Sequence, residues 1–233
     1  MANGKMKIVE VKKICEEKHD RIIFLRVNPD NIKETLTNIF QVLSDLSWIS
    51  KFDEDYIKTS FEVRAKSTIE DIEGKLLASS TDEVSSDAGE YVVSELAREA
   101  LIKELKYLDI PLAELYNKKK SGNPGFDFHS QTNDDIIIFG EAKYLDDRNA
   151  YSSGLKQVVR FISEKKDIKD IADLRDFCSM EALSMANQGF KGFAIAFSAK
   201  ETKSDLIIKN IIKNSDFNLL LPYTEIIIVA VNI

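Results

Sequence analysis

Two apolar segments joined by a short polar turn constrain the fold of this chain more than any other feature. The first contains Gly125-Phe126-Asp127-Phe128-His129, the second runs from Ile136 to Lys143, and Asn133-Asp134-Asp135 lies between them. The residues from Ile136 to Phe139 are all apolar, which is typical of a buried strand. The sequence therefore predicts a β-hairpin whose second strand lies inside a sheet.

The length of the turn decides which side chains of the hairpin share a face. With a three-residue loop at 133–135, Asp127 lies directly opposite Glu141, and directly opposed residues share a face. Lys143 points the same way as Glu141, because side chains alternate along a strand. A two-residue loop would shift the register and put the two acids on opposite faces. The longer loop predicts a cluster of Asp127, Glu141 and Lys143.

Such a cluster has the chemistry of a divalent-metal site for phosphodiester hydrolysis. Carboxylate oxygens suit Mg²⁺ or Mn²⁺, which take their remaining ligands from water and phosphate. Lys143 would orient the attacking water or offset the charge that develops on phosphorus. A structural ion-pair cluster is the alternative, since an aspartate followed by Glu-x-Lys occurs by chance in charged proteins. The buried strand favours the site, because an unpaired charge is costly there.

Gly-Phe-Asp at 125–127 followed by Gly-Glu-Ala-Lys at 140–143 resembles the PD-(D/E)xK nuclease superfamily, with Phe126 where that pattern has proline. The resemblance implies an Mg²⁺-dependent deoxyribonuclease in which Asp127, Glu141 and Lys143 are catalytic. It also implies an α/β (α+β) fold of the restriction-endonuclease type, with an αβββαβ core and a mixed sheet.

Within this superfamily, the stretch from Gly89 to Tyr144 is most similar to the nuclease subunits (HamA) of Hachiman-type bacterial anti-phage systems. The similarity rests on Gly89-Glu90 at a helix start, on the strand around Asp127 with His129 one residue early, and on Gly-Glu-Ala-Lys with the tyrosine after it. It implies a DNA substrate and a superfamily 2 helicase subunit as partner, docked in part on the N-terminal portion.

A further acid is expected on the helix that precedes the hairpin, at 88–108. Its apolar stripe at helical spacing comprises Val93, Leu96, Ala97, Ala100, Leu101 and Leu108. Glu90 lies at the edge of this stripe, which makes it a candidate catalytic and metal-binding residue. Alternatively, Glu90 only complements the helix dipole, with Asp87 as the N-cap.

The other acids of this helix are predicted to lie away from the site. Glu95 and Glu99 fall on the side opposite the stripe, where we expect solvent. Glu104 lies on the stripe but ~21 Å along the axis from Glu90, too far to share a site.

Composition bounds the class of protein. The chain has 233 residues, 44% of them hydrophobic, enough for a full core in one domain or two. No apolar run approaches the ~20 residues of a membrane span and no secretory signal is evident, so we expect a soluble, cytoplasmic protein. Cys15 and Cys178 lack metal-type spacing and are expected to be thiols in a reducing compartment. With only two histidines, a histidine-rich zinc centre is excluded.

The net charge of −7 argues against a protein that grips nucleic acid unaided, because nonspecific affinity comes mainly from cationic contacts to phosphate. Several residues near the hairpin are nonetheless candidates for nucleic-acid contact: Lys118, Lys119, Lys120, Lys156, Gln157 and Arg160. The alternative is that these side chains are solvated surface groups.

The remaining pattern predicts the order of elements. Before residue 78 we expect strands at 6–14, 21–27 and 56–64 and a helix at 31–46 capped by Asp30. After residue 90 we expect a short strand at 111–117, helices at 151–165, 170–187 and 203–214, and strands at 189–197 and 226–231. The linker-like stretch 78–90 divides an N-terminal α+β portion, 1–80, from a nuclease-like domain, 81–233.

Three functions are compatible with this sequence. The first is a metal-dependent DNA nuclease that acts as the effector subunit of an anti-phage defence complex with a helicase. The second is a stand-alone restriction-type endonuclease, which would favour a symmetric dimer on a palindromic site. The third is a noncatalytic interaction protein with a structural ion-pair cluster, which should not bind Mn²⁺ through Asp127.

Overall fold

The computed structural model describes residues 6–16, 19–77, 84–116 and 125–233. The strands are β1 (Met6–Glu16), β2 (His19–Pro29), β3 (Phe128–Gln131), β4 (Ile137–Lys143), β5 (Lys191–Ala199) and β6 (Glu225–Asn232). The helices are α1 (Ile32–Ser44), α2 (Asp55–Leu77), α3 (Ser86–Leu105), α4 (Ala113–Tyr116), α5 (Tyr151–Ser163), α6 (Lys166–Asp170), α7 (Met180–Asn187), α8 (Ser204–Ile212) and α9 (Ser215–Asn218), with a 3₁₀ helix at Leu46–Lys51.

The strands form one six-stranded mixed sheet in the order β1-β2-β6-β5-β4-β3. Strands β2, β6, β5 and β4 run parallel, and β1 and β3 are antiparallel strands at the two edges. This confirms the predicted α/β class with a mixed sheet. The strands β1 and β2 belong to the same sheet as the β3–β4 hairpin, and residues 78–83 of the predicted linker lie outside the described residues.

Helices cover both faces of the central strands, which explains their continuous apolar runs. Helix α3 packs on the face that carries Ile138 and Ala194, whereas α5 packs on the face that carries Phe139 and Phe193. Every residue of β5 is buried. The hairpin therefore lies between two helices, and each helix can bring side chains to the end of β4.

The predicted strand at 56–64 is wrong, because this segment belongs to α2. Tyr56 and Val63 are largely exposed. The buried positions are Phe61, Ala65, Ile72 and Leu76, whose spacing follows a helical period rather than alternation. The helix period is visible only over a segment longer than the nine residues that suggested a strand.

The predicted strand at 111–117 is also wrong, because Ala113–Tyr116 is the short helix α4. The segment before it nevertheless follows the edge of β3: Leu108 N donates to Gln131 O (2.9 Å), and Ala113 N donates to Asp127 O (3.0 Å). Pro111 lies between these contacts and has no backbone N–H for a ladder. In the described residues, this irregular segment replaces the first strand of the predicted αβββαβ order.

Smaller differences concern helix ends. Ser85 is the N-cap of α3 rather than Asp87, and Asn31 caps α1 rather than Asp30. Helix α3 ends at Leu105, so Leu108 lies outside its apolar stripe and is exposed. Of the single helix predicted at 170–187, only Met180–Asn187 is a helix (α7); Asp170 is the last residue of α6, and 171–177 form turns.

The other predicted elements are confirmed, with ends shifted by a few residues: the strands at 6–14, 21–27, 189–197 and 226–231, and the helices at 31–46, 151–165 and 203–214. Within the described ranges, no helix is long and apolar enough to cross a membrane. Cys178 is a free thiol whose burial raises its pKa to about 12, which disfavours the reactive thiolate.

Candidate active site

The hairpin has the register that the three-residue loop predicts. Thr132 N donates to Ile136 O (2.9 Å), and Phe128 pairs with Gly140. Asp135 adopts a left-handed conformation with φ of 59°, as the last residue of such a loop commonly does. Continued by one residue, this register sets Asp127 opposite Glu141.

Asp127 is held against the backbone of β4. Its N–H donates to Gly140 O (2.9 Å), and its Oδ2 accepts a hydrogen bond from Ala142 N (2.8 Å). The side chain is partly exposed, unlike the phenylalanines on either side of it. The backbone of both strands therefore fixes this carboxylate at the rim of the sheet.

Glu141 is the buried acid of the site, with 1% of its surface exposed. Its Oε1 accepts a hydrogen bond from the Gln157 amide of α5 and lies 3.3 Å from Lys143 Nζ. Gln157, predicted as a nucleic-acid contact, thus supports a carboxylate of the candidate site.

Lys143 lies between two acids, Glu141 on β4 and Glu90 on α3. Its Nζ donates to Glu90 Oε1 of α3 (2.7 Å) as well as lying near Glu141, and its side chain is 16% exposed. Burial alone would lower the pKa of Lys143, but the carboxylates of Glu141, Glu90 and Asp127 raise it above its ordinary value. The ammonium group is therefore charged at neutral pH.

The close approach of α3 to β4 depends on Gly89. A Cβ atom at this position would overlap the ring of Tyr144, which directly follows β4. Glycine therefore lets the first turn of α3 lie against the strand end, and the next residue, Glu90, reaches Lys143. The structure therefore explains why a glycine precedes Glu90 in the sequence.

The prediction that Glu95 is solvated is wrong. Glu95 is 3% exposed and forms an ion pair with Arg98 (2.6 Å), which also pairs with Asp109. Helix α3 is buried around most of its circumference, because α1 and α2 cover the side that the sheet leaves open. Glu99 is partly exposed beside Lys103, and Glu104 is exposed rather than part of an apolar stripe.

A cleft of about 330 Å³ opens beside Asp127 and Glu90. It is lined by Lys75, Ser86, Glu90, Tyr91, Ser94, Glu114 and Asp127. Outside the hairpin and Glu90, no local pattern in the sequence indicates the lining residues. Glu114 lies on α4, which was predicted as a strand, and Lys75 lies on α2, whose packing against α3 only the tertiary structure reveals.

The predicted nucleic-acid contacts divide into three groups. Lys156 and Arg160 are exposed on α5, next to Gln157 in sequence, and Arg160 lies 3.8 Å from Glu164. Gln157 binds Glu141. The lysine triplet 118–120 lies outside the described residues.

The donors at this site are chemically suited to a hard divalent cation, because Asp127, Glu141 and Glu90 offer only carboxylate oxygens. In the described part of the chain, no three His, Cys, Asp or Glu side chains form a group that could hold a metal ion. The Lys143 ammonium instead contacts both Glu90 and Glu141, so two acids share one positive charge.

Comparisons of this chain with protein-family models, with curated proteins and with solved structures gave no match. The functional assignment therefore depends on the site itself: the chemistry of its side chains, their distances and their burial.

Proposed function

We propose that this protein is a metal-dependent nuclease that hydrolyses phosphodiester bonds in DNA. The observation that supports the proposal is that three charged side chains meet beside Asp127. Glu90 Oε1 lies 2.7 Å and Glu141 Oε1 lies 3.3 Å from the Lys143 nitrogen. Glu141 and Lys143 are 1% and 16% exposed, and burying these two charges costs free energy that hydrophobic residues would not. Costly charges beside a cleft are typical of functional sites.

Each side chain has a distinct role in this proposal. Asp127, Glu141 and Glu90 do not form a ready-made metal group among the described residues, so their side chains would move together to hold Mg²⁺ or Mn²⁺. The ion would supply an acidified water and polarise a phosphoryl oxygen. Lys143 keeps its proton and places a positive charge where negative charge develops on phosphorus. Gln157 donates to Glu141 and fixes the orientation of that carboxylate.

Nicking of supercoiled plasmid tests the proposal. The purified chain should nick plasmid in Mg²⁺ or Mn²⁺ and not in EDTA. Cleavage of RNA, measured in parallel, shows which of the two nucleic acids the protein prefers. Mn²⁺ binding, measured by calorimetry, should be lost in Asp127→Asn. A chain that neither cleaves nor binds Mn²⁺ would instead favour the structural ion-pair cluster.

We predict that Glu90→Gln weakens metal-dependent cleavage by about tenfold, which corresponds to a loss of ~1.4 kcal/mol of transition-state stabilisation. The amide keeps the size of the side chain but removes the charge that contacts Lys143. Glu99→Gln is the matched control on the same helix, because Glu99 pairs only with the exposed Lys103 among the ion pairs described. If both variants nicked plasmid at the same rate, Glu90 would have no role in cleavage.

Glu95→Gln is unsuitable as a second control. Glu95 is buried against Arg98, and breaking a buried ion pair costs about 3–5 kcal/mol. A loss of activity in that variant would report unfolding rather than chemistry.

The role of effector subunit in an anti-phage complex with a superfamily 2 helicase rests on the Hachiman resemblance and on the net charge of −7. An acidic chain makes few phosphate contacts, so a partner would supply affinity by holding the nuclease near the strand.

We therefore expect the isolated chain to bind duplex DNA no more tightly than nonspecific proteins do, at about 10⁻⁶ to 10⁻⁴ M, and to lose this binding as salt rises. Fluorescence anisotropy across a salt series measures both quantities. Tight, salt-resistant binding with vigorous cleavage by the chain alone would contradict the partner model and favour the restriction-type endonuclease.

A further inference from the structure

Lys75 lies in the last turn of α2, where the helix meets the start of α3. Its carbonyl oxygen accepts a hydrogen bond from Ser85 Oγ (3.4 Å), and Ser85 is the N-cap of α3. This contact joins the end of α2 to the helix turn that carries Glu90. The Lys75 side chain lines the cleft that also contains Glu90 and Asp127.

Tyr91 holds the Lys75 ammonium at this position. Lys75 Nζ lies 5.1 Å from the centre of the Tyr91 ring and donates to its hydroxyl (3.3 Å). Burial raises the pKa of Tyr91, and the carboxylate of Glu114 raises it further, so the hydroxyl stays protonated. The two side chains thus place a cation and an O–H donor in the cleft.

The negative charge of the cleft gives this cation a role in binding an anionic ligand. Glu90, Glu114 and Asp127 give it three carboxylates, which repel a phosphate backbone. Among the described residues that line it, Lys75 is the only cation. Its other partner, Asp71 (2.5 Å), is 62% exposed, and surface ion pairs of this kind contribute only about 0–1 kcal/mol. A phosphate can therefore replace Asp71 at little cost.

We propose that Lys75 is a substrate-binding residue that contacts a backbone phosphate of the nucleic-acid strand in this cleft, next to the phosphate being cleaved. The inference rests on the proposed nuclease function and assigns to α2, in the N-terminal portion, a direct part in holding the substrate. Tyr91 orients the ammonium, and the hydroxyls of Ser86 and Ser94 add donors along the same wall.

Lys75→Ala and Lys66→Ala form a matched pair for the test. Lys66 lies on the same helix and makes the same type of ion pair, four residues from Glu62 (2.6 Å), but does not line the cleft. The probe is a fluorescein-labelled DNA duplex at low salt, with Ca²⁺ in the binding assay and Mg²⁺ in the cleavage assay.

Lys75→Ala should raise Kd and KM about five- to tenfold, lower the slope of log Kd against log salt by about one, and leave kcat within about twofold. Lys66→Ala should match wild type, and Lys75→Arg should retain binding. If wild type binds and cleaves but Lys75→Ala matches Lys66→Ala in Kd and salt slope, Lys75 has no contact with substrate, and the nuclease proposal stands. A wild-type chain that neither binds nor cleaves DNA would overturn both.

Discussion

The Lys143→Ala protein should remain soluble while its Mg²⁺-dependent nicking of plasmid falls by at least about 100-fold. Removing one preorganised charge or donor that stabilises a transition state typically costs about 10² to 10³ in rate. Lys143 has this character, because its ammonium is mostly buried and is held between Glu90 and Glu141 before any substrate arrives. Nicking rates at saturating plasmid measure the effect.

Lys103→Ala is the matched control for this change. It also removes an ammonium group that pairs with a glutamate, but Lys103 lies on the exposed side of α3 and contacts Glu99. Its nicking rate should equal that of wild type. A soluble Lys143→Ala protein with full activity would exclude the nuclease assignment.

Loss of the lysine also affects stability, and a double variant separates this effect from chemistry. In Lys143→Ala the Glu141 carboxylate stays buried without its cation, which is destabilising. Lys143→Ala combined with Glu141→Gln removes both charges and should recover the melting temperature. It should not recover nicking. If the cluster were purely structural, recovery of the melting temperature would restore everything that the cluster contributes.

The candidate site was predictable from sequence where its geometry is local. The loop at 133–135 sets the register of the hairpin, so the placement of Asp127 opposite Glu141 follows from residue numbers alone. Glu90 was a candidate from helix phase, because it lies at the edge of the apolar stripe, and in the structure it contacts Lys143. Both inferences needed only the geometry of one element and its neighbour.

Features that depend on packing between distant segments were not predictable in this way. Residues 22–27 of β2 pair with 226–231 of β6, about 200 residues apart, and no local pattern specifies that partner. The burial of Glu95 has the same origin, because α1 and α2 cover the side of α3 that faces away from the sheet. A helix that is covered on two sides does not show one apolar stripe.

The last prediction compares two glycines that lie in helices. Gly74→Ala should stabilise the protein by about 0.5–1 kcal/mol, because alanine favours a helix and a Cβ atom at this position meets nothing within 4 Å. Gly89→Ala should destabilise it by about 1–3 kcal/mol despite the same gain in helix propensity, because its Cβ would overlap the Tyr144 ring. Thermal unfolding measured by circular dichroism gives both changes.

The Gly89 change should also reduce activity more than stability alone explains. The first turn of α3 must move away from Tyr144 to accept the methyl group, and Glu90 moves with it, away from Lys143. Displacements of about 1 Å at a reacting centre can cost about 10² in rate. Nicking by Gly89→Ala, measured well below its melting temperature, should therefore fall well below that of Gly74→Ala. If Gly89→Ala were stabilised like Gly74→Ala and cleaved normally, α3 would not lie as close to β4 as the site requires.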